Sequence, residues 1–476
     1  MTSALPVPDV AAPPASDPRA IDRSARWALL LLLASGLLWL AVGGVLALVH
    51  SIQLHTPGFL ATSEYFTFGR TQAAAETALV YGWAANAGFA VALWLLGRLG
   101  GAPLRGLGLV KIGGAFWNLG VTLGLIGILA GDLTSFSLLQ TPVYVQPLLL
   151  VAFAAIGTAG VLAWSGRRVG PTFAAQWYAV AALFAFSWVY SVAQAMLFAL
   201  PVRGTMQAVV AAWAGQNVLS LWLGPLALAA AYYLVPKITG RTLAAYDLAA
   251  WGFGVLLFIG PWTGGCHLVG GPVPAWVPTV GIACSFLLLF HFIVVAINLR
   301  DAFGNPTGST ALRFVALGVA AYVLGGLVDA STAPRGIAQY VQFTYFIEAQ
   351  TMLAILGGFT LPIFGAIYFL TPRVTSRAWG SDGLIKLHLG AAGLGLVLLV
   401  GGLAGAGLKQ GLELNDAGKT FAVIFDSVRP WLLVATAGVG LQLLGGVCLA
   451  VNLALQFQPE SDAVTVVQQT SAKPAP

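Results

Sequence analysis

Five histidines, three cysteines and two carboxylates set in apolar sequence are the residues of this chain that could do chemistry. A transition-metal centre needs several nitrogen, sulfur or carboxylate donors converging on one point. His50 and His55 flank the end of the first apolar run, His291 stands alone inside another, and His388 opens a third. Each of these reads as an interfacial or hydrogen-bonded helix histidine. His267 differs, because Cys266 adjoins it and both close the glycine-rich break Gly264-Gly-Cys266-His267. Two adjacent donors suggest a soft metal, yet without a third they give neither the geometry nor the affinity of a specific site. Cys266, Cys284 and Cys448 all lie within or beside apolar segments, so no CxxC pattern and no disulfide framework follows from their spacing. Glu76 and Glu348 are candidates for another reason: a carboxylate inside an apolar span is costly and faces a cavity or a polar partner. Glu348 opens the polar run Glu348-Ala-Gln350-Thr351 and reads as a cavity-lining group, whereas Glu76 is close enough to the end of its span to reach the interface.

The elements that must position these residues are membrane helices. Of 476 residues, 58% are hydrophobic and only 8% are charged, too few charges to coat a soluble globule of this size. Apolar runs of roughly 20 residues recur, the length a helix needs to cross the hydrocarbon layer, and the shorter alternation of a membrane barrel is absent. Hydropathy places spans near 27–49, 73–97, 109–130, 144–164, 174–199, 212–235, 244–263, 276–298, 312–329, 344–370, 385–406 and 430–455. The fold class expected is therefore all-α, a polytopic bundle of twelve helices in the bilayer. The domain reading is a disordered tail over 1–25, a membrane domain over 26–456 and a second disordered tail over 457–476, since both ends are polar and lack an apolar period.

A net charge of +6 does not point to nucleic acid here, because the basic residues sit in short segments between spans and read as orientation signals. With the N-terminus cytoplasmic, sixteen Lys and Arg fall on the cytoplasmic side and six on the other, which together account for all 22. Both termini are then expected inside. Arg19, Arg98, Arg105, Lys111 and Arg373 belong to the larger set, and Arg70, Arg335, Lys409 and Lys419 to the smaller. The 58 glycines, many within spans, read as close helix packing.

Several strings together carry a family resemblance. Gly69-Arg70 precedes Ala78-Leu-Val-Tyr-Gly-Trp83, and Phe116-Trp-Asn-Leu-Gly-Val121 precedes Gly127-Ile-Leu-Ala-Gly-Asp132. Further on come Gln176-Trp-Tyr178, Ala229-Ala-Ala-Tyr-Tyr-Leu-Val-Pro-Lys237, His267-Leu-Val-Gly-Gly-Pro-Val-Pro-Ala-Trp276 and Phe364-Gly-Ala-Ile-Tyr-Phe-Leu-Thr-Pro372. In this order they resemble the catalytic subunit, subunit I, of C-family (cbb-type) haem-copper cytochrome c oxidases, over nearly the whole chain. That resemblance implies a twelve-helix fold, two haems, one copper, oxygen reduction and a place in a respiratory electron-transport chain.

The family's six ligand positions follow from the flanking strings. One axial ligand of the low-spin haem falls at Ala75, and the two tenth-helix ligands fall at Gln350 and Met352. The copper ligands fall at Gln216, Cys266 and His267, the cross-linked tyrosine at Gly260, and two acidic positions at Ser137 and Gln140. Five of six ligands are thus not histidine. Ala has no donor atom, Gln is a poor metal ligand, and Met352 offers a thioether with no donor opposite it at position 75. The expectation is a bacterial-type inner-membrane protein of a respiratory assembly that binds no haem or copper by itself, a pseudoenzyme beside partners such as a c-type cytochrome. The segment 407–429, with Lys409, Glu413, Asp416, Lys419 and Asp426, is expected to be a long charged loop where such a partner docks. Two alternatives stay open: an active terminal oxidase or nitric-oxide reductase with atypical ligands, and an ion or small-solute pathway through an emptied cavity lined by Gln216, Glu348 and Gln350.

Overall fold

A computed structural model describes residues 17–304 and 308–457. Twelve helices in it are long and apolar enough to cross a membrane: α1 Pro18–His55, α2 Phe68–Gly100, α3 Leu107–Ala130, α4 Gln146–Ser165, α5 Ala174–Ala199, α6 Met206–Thr239, α7 Tyr246–Leu268, α8 Trp276–Gly304, α9 Thr310–Thr332, α10 Tyr345–Thr375, α11 Asp382–Leu414 and α12 Phe421–Gln456. They agree in number and order with the twelve hydropathic runs. No strand occurs among the described residues.

Two boundaries differ from the sequence reading. Residues 18–25, expected within a disordered tail, form the first two turns of α1. Asp17 caps them by accepting from the Arg19 backbone N–H at 3.0 Å, and Pro18 occupies the first turn, where its missing N–H costs nothing. Asp22 is buried there, accepting from Trp94 Nε1 at 2.9 Å and pairing with Arg98 at 3.0 Å, so partners on α2 hold the turn against the bundle. Residues 1–16 and 458–476 of the expected tails lie outside the described residues. The second difference concerns 407–429. Instead of a long loop, α11 continues to Leu414 and α12 begins at Phe421. Hydropathy fades where the helices leave the apolar layer, but the backbone hydrogen bonds do not. Glu413 pairs with Lys419 at 3.1 Å and accepts from Ser427 Oγ at 2.6 Å, which ties the two helix ends together.

Three helices form the centre. The most apolar stretch of α2 is entirely buried and those of α6 and α10 are 83% and 89% buried, whereas each of the other nine is buried over half its length or less. Aromatic side chains lock them together: Trp83 on α2 donates Nε1–H to Thr360 on α10 at 3.0 Å, and Trp222 on α6 packs against Phe89 on α2. Small residues let neighbouring backbones approach. A Cβ on Gly438 of α12 would come within 2.3 Å of the Leu399 nitrogen of α11, so only glycine permits that crossing.

Each central helix widens once into π-helical turns, at Ala78–Ala84, Val218–Leu223 and Leu353–Thr360. In α6 and α10 a proline follows within two residues of the wide turns, Pro225 and Pro362. Proline cannot donate a backbone hydrogen bond and crowds the carbonyl four residues earlier, and a wider turn relieves both. Wide turns of this kind re-aim the side chains just ahead of them. Ala75, Gln216, Gln350 and Met352 all lie within three residues of such a turn.

Candidate functional site

The central helices enclose two separate spaces. The first, about 300 Å³, is lined by Gln216 from α6, Cys266 and His267 from the 3₁₀ end of α7, Tyr322 and Asp329 from α9, and Gln350 from α10. The second, about 60 Å³, lies between α1, α2 and α10 and is lined by His50, Ala75, Glu76, Glu348 and Met352 among leucines. The six positions singled out by the family resemblance therefore divide four and two between these spaces. Residues two apart on a helix point about 200° apart, which is why Gln350 and Met352 enter different ones.

In the larger space Gln350 turns toward α9. Its Nε2 donates to Asp329 Oδ1 at 2.9 Å and to Thr332 Oγ1 at 3.2 Å, while its Oε1 is buried with no partner. His267 Nδ1 and Ser220 Oγ are likewise buried without partners. Cys266 is almost fully buried. Gly260, at the cross-linked tyrosine position, begins the 3₁₀ turn beneath Leu256 and Leu221 and brings no hydroxyl.

In the smaller space His50 Nε2 faces Glu348 Oε1 at 3.5 Å, and Glu76 Oε2 accepts from Gln140 Nε2 at 2.5 Å. Gln72 approaches the other oxygen of Glu76 at 3.5 Å. Glu76 is thus buried and partnered within the bundle instead of reaching the interface. Of the two readings open for His50, an interfacial or a hydrogen-bonded helix histidine, the interfacial one does not hold: it is buried and directed at a carboxylate. The reading of His291 and His388 as hydrogen-bonded helix histidines holds: His291 bridges the Gly252 carbonyl and the Tyr322 hydroxyl, both at 2.9 Å, and His388 Nδ1 meets the Tyr368 hydroxyl at 2.8 Å.

A third recess of about 370 Å³ borders both. It lies at the bundle end that carries Phe68, Phe343 and Thr344. It shares Ser137, Ile347 and Thr351 with the larger space and Leu54, Gln72, Glu76 and Glu348 with the smaller. Glu348 therefore does not line one cavity with Gln216 and Gln350, as the sequence reading had it; it belongs to the smaller space and the recess. Three-dimensional packing separates them because Glu348 and Gln350 leave α10 on different faces. Asp329 was missed because it closes the ninth apolar run and looks interfacial there. The signal was present all the same, since a carboxylate followed by Ala330 in a hydropathic run has no water of its own.

The donor set and the dimensions do not suit the family's cofactors. Across the smaller space Ala75 brings no donor to face Met352. The space measures about 60 Å³, whereas pockets for drug-sized ligands take roughly 300–1,000 Å³. Leu79, Leu356, Phe364 and Leu403 bound it closely. In the larger space one amide, one buried thiol and one imidazole replace the nitrogen ligands copper requires. Among the described residues, no three His, Cys, Asp or Glu side chains gather as a metal site.

Twelve spanning helices with paired internal spaces on the three most buried of them define a polytopic membrane protein with the haem-copper oxidase architecture. The chain belongs to the family described as Cytochrome C and Quinol oxidase polypeptide I, whose profile matches residues 28–441. It is 24% identical to a cytochrome c oxidase subunit 1 homolog of Agrobacterium tumefaciens, over 94% of this chain and 86% of that one. It is 25% identical to the cytochrome c oxidase subunit 1 of Rhodobacter capsulatus, over 87% and 82% of the two chains. The cbb3-type cytochrome c oxidase subunit CcoN1 of Stutzerimonas stutzeri is also 25% identical, over 87% and 91%. Among solved structures, a haem-copper terminal oxidase dimer superposes with a TM-score of 0.70 at 13% identity, covering 94% of this chain and 85% of that one, a likeness of fold.

Proposed function

We propose that this chain is a non-catalytic relative of the oxidase subunit I, held in the membrane with both termini cytoplasmic and serving as a structural partner within a respiratory assembly. The observation that carries this reading is the pair Ala75 and Met352 facing one another across a space too small for a macrocycle. A haem needs axial donors and an enclosing slot, and neither is in place. The copper positions Gln216, Cys266 and His267 supply a donor set of the wrong kind, so the reading of an active oxidase or nitric-oxide reductase has less support. The assembly partner, such as a c-type cytochrome, is inferred from the family alone.

The test is purification from native membranes in mild detergent, with a reduced-minus-oxidised spectrum and metal analysis on the isolated chain. Neither a haem band nor stoichiometric copper is expected, and a c-type haem band is expected to leave with the partner when the complex is dissociated. A stoichiometric haem band retained by the isolated chain overturns the reading.

A second reading, a small-solute site or pathway, is favoured by a separate observation. A recess at one end of the bundle, lined by Glu76, Glu348 and Gln410, borders the larger space through Ser137, Ile347 and Thr351.

A further inference from the structure

We propose that the larger cavity is a binding site for a small organic ammonium compound. It rests on the reading that this cavity holds no haem. Asp329 is the one formal negative charge on its wall, and no lysine or arginine lines it. A carboxylate enclosed in a membrane bundle is costly unless something neutralises or hydrogen-bonds it. Among the described residues, the Asp329 carboxylate accepts from Gln350 alone. His267 is its electrostatic neighbour, but the two form no ion pair, and His267 Nδ1 is left buried and unpartnered.

The unpartnered atoms share one character. Gln350 Oε1 can only accept, Ser220 Oγ can accept, and a neutral His267 accepts at Nδ1 when its proton is on the other nitrogen. With the remaining capacity of Asp329, they put several acceptors on one side of the cavity, and no lysine or arginine stands there to satisfy them. Its complement is a group with several N–H donors and a positive charge, and a protonated primary amine has three donors on one centre. The rest of the wall is apolar, with Leu219, Leu256, Leu288 and Phe292 available to a short alkyl tail. The space, about 300 Å³, suits a small organic molecule. Glu76 and Glu348 line the adjoining recess, two further carboxylates whose field favours a cation over an anion nearby.

The test uses the full chain in lipid nanodiscs and equilibrium dialysis of labelled n-butylammonium, with 1-butanol as neutral competitor and sodium chloride matched for ionic strength. Saturable one-to-one binding is expected, with no competition by 1-butanol. Asp329→Asn is expected to weaken it about tenfold or more, the loss of one charge-assisted contact. Gly325→Leu fills the cavity instead of changing its charge, and a Cβ there clears its nearest neighbour, Leu353, at 3.9 Å. It too should abolish binding, and it decides the matter if Asp329→Asn is not monodisperse. Equal binding by both variants, equal competition by 1-butanol, or no binding overturns the proposal. An absorption spectrum of the same sample separates the two readings: absent binding with no haem band removes the ammonium site alone, whereas absent binding with a stoichiometric haem band removes both.

Discussion

His50 on α1 holds its Nε2 3.5 Å from Oε1 of Glu348 on α10, an ion-pair distance, and neither ring nitrogen has a hydrogen-bond partner among the described residues. This contact bridges a peripheral and a central helix where the smaller space meets the recess. Replacing His50 with Leu leaves the largely buried carboxylate without its partner, a change expected to cost about 1–3 kcal/mol. Glu348→Gln keeps the shape and is expected to cost less than His50→Leu. A double-mutant cycle read by denaturant unfolding in detergent checks the coupling, and additivity within about 0.3–0.5 kcal/mol would show that the two side chains do not interact.

Asp22 and Arg98 make a second such link, between the first turns of α1 and the end of α2. Arg98→Ala leaves the buried Asp22 with Trp94 as its remaining hydrogen-bond partner and Arg373 as a more distant positive charge, and is expected to destabilise by about 3 kcal/mol. Because the loss comes from an uncompensated charge, adding Asp22→Asn to that variant should recover part of it. Proteolysis after residue 17 should become faster in Arg98→Ala, as the first turns of α1 loosen.

Restoring the low-spin ligands should not restore the haem. In the double variant Ala75→His with Met352→His, two imidazoles would face a space of about 60 Å³ bounded by Leu79, Leu356 and Phe364. Close-packed interiors do not open by several side-chain volumes without large cost. The reduced spectrum of the double variant, expressed with excess haem, is expected to match the wild type. A six-coordinate haem band would show that the collapse is reversible and that donor chemistry alone excludes the cofactor.

Reporter fusions test the orientation. The turn between α11 and α12 at 415–420 is expected on the side opposite the α2–α3 connection around Arg105, following the sixteen-to-six excess of basic residues. A cytoplasmic reporter signal from 415–420 with a non-cytoplasmic one near Arg105 would contradict a cytoplasmic N-terminus, and one side for both would contradict twelve spans.

Sequence by itself determined the membrane class, the twelve helices and their order, because burial in lipid demands runs of apolar residues that survive in one dimension. The same holds for the family, whose flanking strings are what direct attention to Ala75, Gln216, Cys266, His267, Gln350 and Met352. Tertiary structure decided what surrounds those positions. Hydropathy cannot show that α1 begins at Pro18 or that α11 runs on to Leu414, since hydrogen-bonded turns continue past the apolar layer. Nor can it show that Asp329 closes on Gln350, that His50 meets Glu348, or that Glu348 and Gln350 serve different spaces, because each depends on which face of a helix meets which neighbour. Those faces are set by wide turns and by glycine contacts between helices far apart in the chain, so the shape of the cavities belongs to the packing and not to any single segment.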